Sequence, residues 1–127
     1  MEHENVAEEK SILVVDDEDM VTWTISDGLS RDGGLSVETT RSAEEAVDIL
    51  RKLQFDLVIT DIRMEGMSGL ELCTHIRTTY PDTLVMVITG YGSEELRKES
   101  LDRGAMAYYE KTTDLVAICR GVRDVLA

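Results

Sequence analysis

The fold is decided by residues 12–18, ILVVDDE, in which four branched apolar residues run directly into three acids. A short apolar run that does not alternate with polar residues is typical of a strand buried on both faces of a parallel sheet. The runs LVI at residues 57–59 and LVMVI at residues 84–88 repeat this pattern. Because parallel strands need long crossover connections, helices are expected between the runs.

Two weaker strands and five helices complete the predicted order. Residues 35–39 alternate in polarity, as a more exposed strand does, and residues 105–109 are a fifth candidate strand. Apolar spacing and capping residues predict helices over 21–29, from Ser42 with its partner Glu45, from near Gly69, from Ser93 to before Gly104, and from about Thr113. The alternation predicts an α/β fold, a doubly wound five-stranded parallel sheet with five helices.

Charge and composition exclude several classes of partner. The 127 residues carry 26 Asp and Glu against 13 Lys and Arg, which gives a formal net charge of −13. This charge disfavours direct binding to nucleic acid, whose phosphates require clustered Lys and Arg, and docking on an anionic membrane. No apolar run approaches the roughly 20 residues of a spanning helix.

The domain organisation and compartment are predicted from the same composition. Residues 1–10 are polar and are interpreted as a flexible N-terminal extension, followed by one domain over residues 11–127. The extension lacks the apolar centre of a secretory signal. Cys73 and Cys119 lie far apart and lack metal-ligand spacing, as expected for reduced thiols. We therefore expect a cytoplasmic protein.

Chemically active side chains follow the predicted strands. Asp16 and Asp17 follow the first strand, Asp61 the third, Thr89 the fourth and Lys111 the fifth. Because the carboxyl ends of parallel strands share one edge of a sheet, these side chains should converge. Crowded carboxylates repel one another unless they hold a cation. The sequence thus predicts a Mg²⁺ site, with Thr89 and Lys111 as donors to a phosphoryl group.

Four stretches have a recognisable order and spacing: residues 12–18, DIRM at 61–64 with MSG at 67–69, VITG at 87–90, and Gly104-Ala105 with Tyr108 and Lys111. Together they resemble the receiver domain of a bacterial two-component response regulator, over residues 11–127. The resemblance implies a flavodoxin-like strand order, 2-1-3-4-5. It also implies a signalling domain that catalyses only its own phosphorylation and dephosphorylation.

The resemblance implies a phosphoacceptor and its metal ligands. Asp61 would take a phosphoryl group from a phosphohistidine in a sensor histidine kinase or phosphotransfer protein. Asp17, Asp61 and the backbone carbonyl of Arg63 would ligate Mg²⁺. Asp16 would act mainly through bound water.

Further residues would bind the phosphoryl group and report its presence. Lys111 would contact a phosphoryl oxygen, and Thr89 would turn inward to bind another. Tyr108 would change rotamer with Thr89 and so alter the face of the fourth helix, fifth strand and fifth helix, through which a homodimer would form. We expect the large side chains of Arg63 and Tyr91 to shield the acyl phosphate and slow its hydrolysis.

Two positions depart from the usual family pattern. Thr112 replaces the proline that commonly follows the lysine with a cis bond, and Glu65 replaces a proline four residues after the acceptor. A cis bond without proline costs about 2.5–4 kcal/mol, so the loop after Lys111 is either strained or rearranged. If the bond is cis, Thr112→Pro would stabilise the domain.

Three other interpretations remain open from the residues alone. Residues 17–21, DEDMV, fit the signature of a haloacid-dehalogenase-type phosphatase that would use Asp17 as its nucleophile. A flavodoxin-like nucleotide binder shares the architecture, but its phosphate loop would not be acidic. The third alternative is a phosphorylation-independent pseudo-receiver that serves as a docking module, which the loss of proline at Thr112 favours.

Overall fold

The computed structural model describes residues 9–31, 33–111 and 115–127. Within these ranges lie the strands β1 (Lys10–Val15), β2 (Leu35–Thr40), β3 (Leu57–Asp61), β4 (Leu84–Thr89) and β5 (Ala107–Glu110). The helices are α1 (Asp19–Ser30), α2 (Ala43–Lys52), α3 (Gly69–Thr79), α4 (Glu94–Asp102) and α5 (Leu115–Leu126). The strands pair in parallel in the order β2-β1-β3-β4-β5, which confirms the predicted fold class and strand order.

The uninterrupted apolar runs are explained by a separate core on each face of the sheet. Along β1, Leu13 and Val15 pack with residues of α2 and α3, whereas Ile12 and Val14 pack with residues of α1 and α5. All four side chains are fully buried. Since both faces are covered, no position from residue 12 to residue 15 favours a polar residue, and the apolar run ends at the acids.

Side-chain caps place the helices that follow the site loops. The Ser68 hydroxyl accepts from Glu71 N at 3.2 Å, and the Glu71 carboxylate accepts from Ser68 N at 3.0 Å. This complete capping box fixes the start of α3. At α2 the predicted capping box is half formed. The Ser42 hydroxyl accepts from Glu45 N, but the Glu45 carboxylate accepts from the Thr40 hydroxyl and not from Ser42 N.

Several boundaries differ from the predictions. β1 begins at Lys10, within the segment interpreted as an extension, because Lys10 N donates to Gly34 O and pairs with β2. β3 continues through Asp61, which pairs with Ile88 of β4. β5 begins at Ala107, later than predicted. The predicted start of α5 at Thr113 lies outside the described residues.

The glycine that ends α4 behaves as predicted. Gly104 adopts a φ of 107°, a conformation that side chains disfavour, and Gly104 N donates to Leu101 O at 3.0 Å. The chain then turns directly into β5. No helix among the described residues is long and apolar enough to cross a membrane.

Candidate functional site

The carboxyl edge of the sheet brings together side chains from β1, β3 and the end of β5. Lys111 Nζ lies 2.8 Å from Asp16 Oδ2 and 3.0 Å from Asp61 Oδ2. It also contacts the carboxylate of Glu18. The structure therefore places the Lys111 ammonium among three carboxylates that lie 50 or more residues away from it in the sequence.

Backbone hydrogen bonds hold these side chains at fixed positions. Asp16 Oδ1 accepts from Glu18 N at 2.8 Å, and Asp61 Oδ1 accepts from Ile62 N at 2.8 Å. Lys111 N donates to Thr89 O at 2.7 Å and so continues the β4–β5 pairing to the site. Each functional side chain is thus attached to the rigid sheet rather than to a free loop.

Burial controls the ionisation of the two inner acids. Asp16 is fully buried and Asp61 is 4% exposed. Burial raises the pKa of Asp16 to about 6, against the lowering effect of the Lys111 ammonium and the Glu18 backbone N–H. Burial likewise raises the pKa of Asp61, and the Lys111 ammonium opposes it. The buried pair therefore depends on positive charge to remain ionised.

Lys111 responds to the same environment in the opposite way. Burial alone lowers the pKa of its ammonium, but the neighbouring carboxylates of Asp16, Glu18 and Asp61 outweigh that effect and raise the pKa. Lys111 remains charged and neutralises part of the acidic group. A cation is thus an integral part of this arrangement.

The three carboxylates around Lys111 offer the oxygen ligands that a hard divalent cation requires. Carboxylate oxygens of Asp16, Glu18 and Asp61 all lie within 4.8 Å of one another. Asp16 Oδ2 is buried and, among the described residues, has no hydrogen bond of good geometry; it contacts Lys111 as an ion pair. Beside this contact, the oxygen retains a lone pair for a cation or for its bound water. Oxygen ligands of this kind suit Mg²⁺.

A small cavity opens beside Asp61. Its volume is about 160 Å³, enough for a phosphoryl group and a few waters. Its lining comprises residues at the carboxyl ends of β3 and β4 and in the loops after β1, β3, β4 and β5: Asp17, Glu18, Asp61, Arg63, Thr89, Gly90, Tyr91 and Lys111. Asp17, a predicted Mg²⁺ ligand, therefore lines the cavity. The group of three carboxylates within 4.8 Å of one another contains its neighbours Asp16 and Glu18 and not Asp17.

Two large side chains in the cavity lining contact each other. The Arg63 guanidinium lies 5.7 Å from the centre of the Tyr91 ring, within the range of a cation–π contact. The Tyr91 side chain is exposed, and Tyr91 N donates to the Thr89 hydroxyl at 3.3 Å. Arg63 and Tyr91 thus both lie beside Asp61 in this cavity.

Tyr108 connects β5 to the start of α4. Its hydroxyl accepts from Ser93 N at 3.2 Å, and its half-buried ring packs against the core beneath α3. Ser93 is the N-cap of α4, and its hydroxyl accepts from Leu96 N at 3.1 Å. A rotation of Tyr108 would therefore remove a contact that holds the amino end of α4.

No role was predicted for Glu18, although it lies in the motif at residues 12–18. The sequence does show a third acid after β1, but the position of the Glu18 side chain depends on the turn in which Glu18 N donates to Asp16 Oδ1.

Of the two departures from the family pattern, Glu65 is exposed beside Asp17 and Gly66. Thr112 and its peptide bond lie outside the described residues.

The fold and site define the class of CheY-like receiver domains, and comparison with known proteins assigns the family. A family model described as the response regulator receiver domain matches residues 12–123. The chain belongs to this family and is a receiver domain of a two-component response regulator. Such domains are signalling domains. The phosphatase and nucleotide-binder alternatives are not favoured by this match.

Curated relatives are similar over the whole domain but are longer. The transcriptional regulatory protein ZraR of Escherichia coli (strain K12) is 37% identical over 114 residues, which cover 90% of this chain and 25% of ZraR. The transcriptional regulatory protein YvrH of Bacillus subtilis (strain 168) is 33% identical over 116 residues, covering 91% of this chain and 48% of YvrH. The chain spans about a quarter to a half of the length of these relatives.

Solved receiver structures superpose along most of the chain. A CheY-like receiver domain protein from Methanospirillum hungatei JF-1 has a TM-score of 0.86 at 29% identity, covering 93% of this chain and 94% of that one. The response regulator TrrA from Thermotoga maritima, in complex with Mg(2+)-BeF, has a TM-score of 0.81 at 32% identity, covering 91% and 98%. Both support the receiver fold found here.

Proposed function

We propose that Asp61 is the phosphoacceptor of this receiver domain and that a histidine kinase or phosphotransfer protein supplies the phosphoryl group. The observation that carries this proposal is the contact of Lys111 Nζ with Asp61 Oδ2 at 3.0 Å, inside a group of three carboxylates at the sheet edge. The ammonium is in position to neutralise charge on a group attached to Asp61. Among the acids near the cavity, Asp61 both lines it and is anchored in a central strand.

The transfer itself is a substitution at phosphorus. An Asp61 Oδ forms a bond to phosphorus while the bond from phosphorus to the donor's imidazole nitrogen breaks, and that nitrogen keeps the electron pair. Lys111 and the Thr89 hydroxyl donate to the phosphoryl oxygens. Positioning and charge neutralisation supply the catalysis.

The carboxylates fit a divalent cation, which would complete the site. Asp17, Asp61 and the backbone carbonyl of Arg63 would hold Mg²⁺, and Asp16 would hold its bound water through Oδ2, which Lys111 contacts as an ion pair. When bound, Mg²⁺ supplies positive charge that offsets the repulsion between the acidic site and an incoming phosphoryl group. The role of Asp17 in this set stays a prediction.

The output of the domain is a shift in the face formed by α4, β5 and α5. Inward rotation of Thr89 and Tyr108 would release Ser93 N and alter the start of α4. This face would also form a homodimer. The domain's own charge of −13 argues that any contact with nucleic acid is made by another part of a longer protein.

The function is tested with a small phosphodonor. Incubation of the chain with Mg²⁺ and acetyl phosphate should add one phosphoryl group, detected by intact mass spectrometry. Omission of Mg²⁺ should prevent the gain. A steady release of free phosphate without a modified Asp61 would instead support the phosphatase alternative, and no modification with any donor would support the docking module.

The lifetime of the phosphorylated state should depend on the two large side chains that line the cavity. Replacing Arg63 and Tyr91 together by Ala should admit more water to the cavity, and we expect the phosphoryl lifetime to fall by about threefold or more. The decay of the phosphorylated mass after removal of the donor measures this lifetime. Replacing the exposed Met106 by Ala is the control, and an unchanged lifetime in the double variant would contradict the shielding role.

A further inference from the structure

Glu18 occupies a helix-capping position whose usual side-chain role it does not perform. It is the N-cap of α1, yet its side chain makes no capping hydrogen bond. Its backbone carries the structural contacts, since Glu18 N donates to Asp16 Oδ1 and Glu18 O accepts from Val21 N at 3.0 Å. The Glu18 carboxylate therefore takes no part in capping α1. It contacts Lys111 Nζ, 93 residues away in the sequence.

The ammonium group of Lys111 is enclosed by three carboxylates. It donates to Asp61 Oδ2 at 3.0 Å and to the carboxylate of Glu18, and it forms an ion pair with Asp16 Oδ2 at 2.8 Å. The Lys111 side chain is only 10% exposed, so little open space remains around the ammonium. A phosphoryl oxygen that is to receive a hydrogen bond from Lys111 must therefore displace one of these contacts.

The three partners differ greatly in how easily they can be released. The side chains of Asp16 and Asp61 are 0% and 6% exposed, whereas that of Glu18 is 61% exposed. A buried carboxylate that loses its counter-charge is left unpaired in a medium of low dielectric constant. An exposed carboxylate is rehydrated by bulk water, so its release costs little.

We propose that Glu18 is a positioning residue that holds the Lys111 ammonium in the resting domain and competes with the phosphoryl group for it. This inference rests on the proposed function of Asp61. Glu18 releases Lys111 when a phosphoryl oxygen becomes its partner. The strength of the Glu18–Lys111 contact then sets how readily the domain enters the phosphorylated state.

Beryllium fluoride, with saturating Mg²⁺, is a suitable probe because it mimics a phosphoryl group without covalent turnover. The solved relative TrrA is described in complex with Mg(2+)-BeF. We expect Glu18→Gln to raise the affinity for beryllium fluoride by about three- to tenfold, measured by titration calorimetry. The exposed side chain and backbone cap predict normal folding, which the thermal unfolding temperature checks.

A matched control separates a direct contact from the general effect of charge. Glu65 is another exposed acid near the site, and the described residues show no contact between it and Lys111. Glu65→Gln removes the same charge and should change the affinity by less than about twofold, because exposed charges are screened. An equal effect of Glu18→Gln and Glu65→Gln would overturn the inference.

A second comparison tests whether the effect passes through Lys111. In a Lys111→Met background, Glu18→Gln should change the affinity no more than Glu65→Gln does. If Lys111→Met binds weakly, the shift of its unfolding temperature with beryllium fluoride concentration gives the same comparison. A full Glu18→Gln effect without Lys111, or weaker binding by Glu18→Gln itself, would also overturn it.

The two proposals fail in different ways. If the wild-type domain neither binds beryllium fluoride nor accepts a phosphoryl group, the proposed function is wrong. If the wild type does both and Glu18→Gln leaves the affinity unchanged, the role of Glu18 alone is wrong.

Discussion

Replacing Asp61 by Asn is expected to abolish phosphorylation of the domain by acetyl phosphate. An amide nitrogen or oxygen is a far weaker nucleophile than a carboxylate oxygen, so no stable modified form should accumulate. The variant should remain folded, because Asn has almost the same shape and burial already opposes the charge of Asp61. Intact mass spectrometry after incubation with Mg²⁺ and the donor measures the result.

The controls for this variant distinguish the acceptor from other acids. Asp82→Asn removes an exposed acid that lies just before β4, at the opposite edge of the sheet, and should leave the mass gain intact. Asp17→Asn should slow phosphorylation through weaker Mg²⁺ binding but should still allow it at high Mg²⁺. Complete loss in Asp17→Asn with retention in Asp61→Asn would assign the nucleophile to Asp17 and contradict the account.

Gly69→Ala should destabilise the domain by about 3 kcal/mol or more. A methyl group on Gly69 would lie 1.8 Å from the backbone oxygen of Asp61 and 3.0 Å from Ile62 Cα. These atoms lie at the end of β3 and directly after it, and Gly69 N donates to Ile62 O at 2.9 Å, so the backbone has little freedom to move away. Denaturant unfolding followed by circular dichroism gives the free energy of unfolding.

Gly90→Ala is the matched glycine substitution for this measurement. Among the described residues, a methyl group on Gly90 would meet only Lys111 Cδ within 4 Å, at 3.8 Å, which is an ordinary contact. We expect it to change the free energy of unfolding by less than about 1 kcal/mol. Equal stability of the Gly69→Ala variant and the wild type would show that the close approach of α3 to Asp61 is not required.

The fold class was predictable because its buried strands are uninterrupted apolar runs. Both faces of β1 are covered, so the run at residues 12–15 contains no polar residue. The order of the strands in the sheet was predicted from the family resemblance. The approach of Asp16, Asp61 and Lys111 to one another follows from parallel pairing alone, since each lies at or just beyond a strand end. Strand ends are fixed by the sheet register, which makes their side chains the easiest to place.

The details that were not predicted depend on loops. Which of the adjacent acids Asp16, Asp17 and Glu18 approaches Lys111 is decided by the turn in which Asp16 Oδ1 accepts from Glu18 N. That turn lies in a loop, where neither the two-residue period of a strand nor the 3.6-residue period of a helix applies, so the hydrophobic pattern does not predict it. Helical spacing after Ser42 predicts that Leu53 lies on the buried face of α2, but the helix ends at Lys52 and Leu53 is 49% exposed.

The account depends most on the identity of the residue that carries the phosphoryl group. Borohydride reduces an aspartyl phosphate to homoserine, so the phosphorylated domain can be reduced, digested and sequenced by mass spectrometry. The account predicts homoserine at position 61 alone, and only when Mg²⁺ and the phosphodonor were both present. Homoserine at position 17, or an unreduced Asp61 in a domain that has gained the phosphoryl mass, would contradict it.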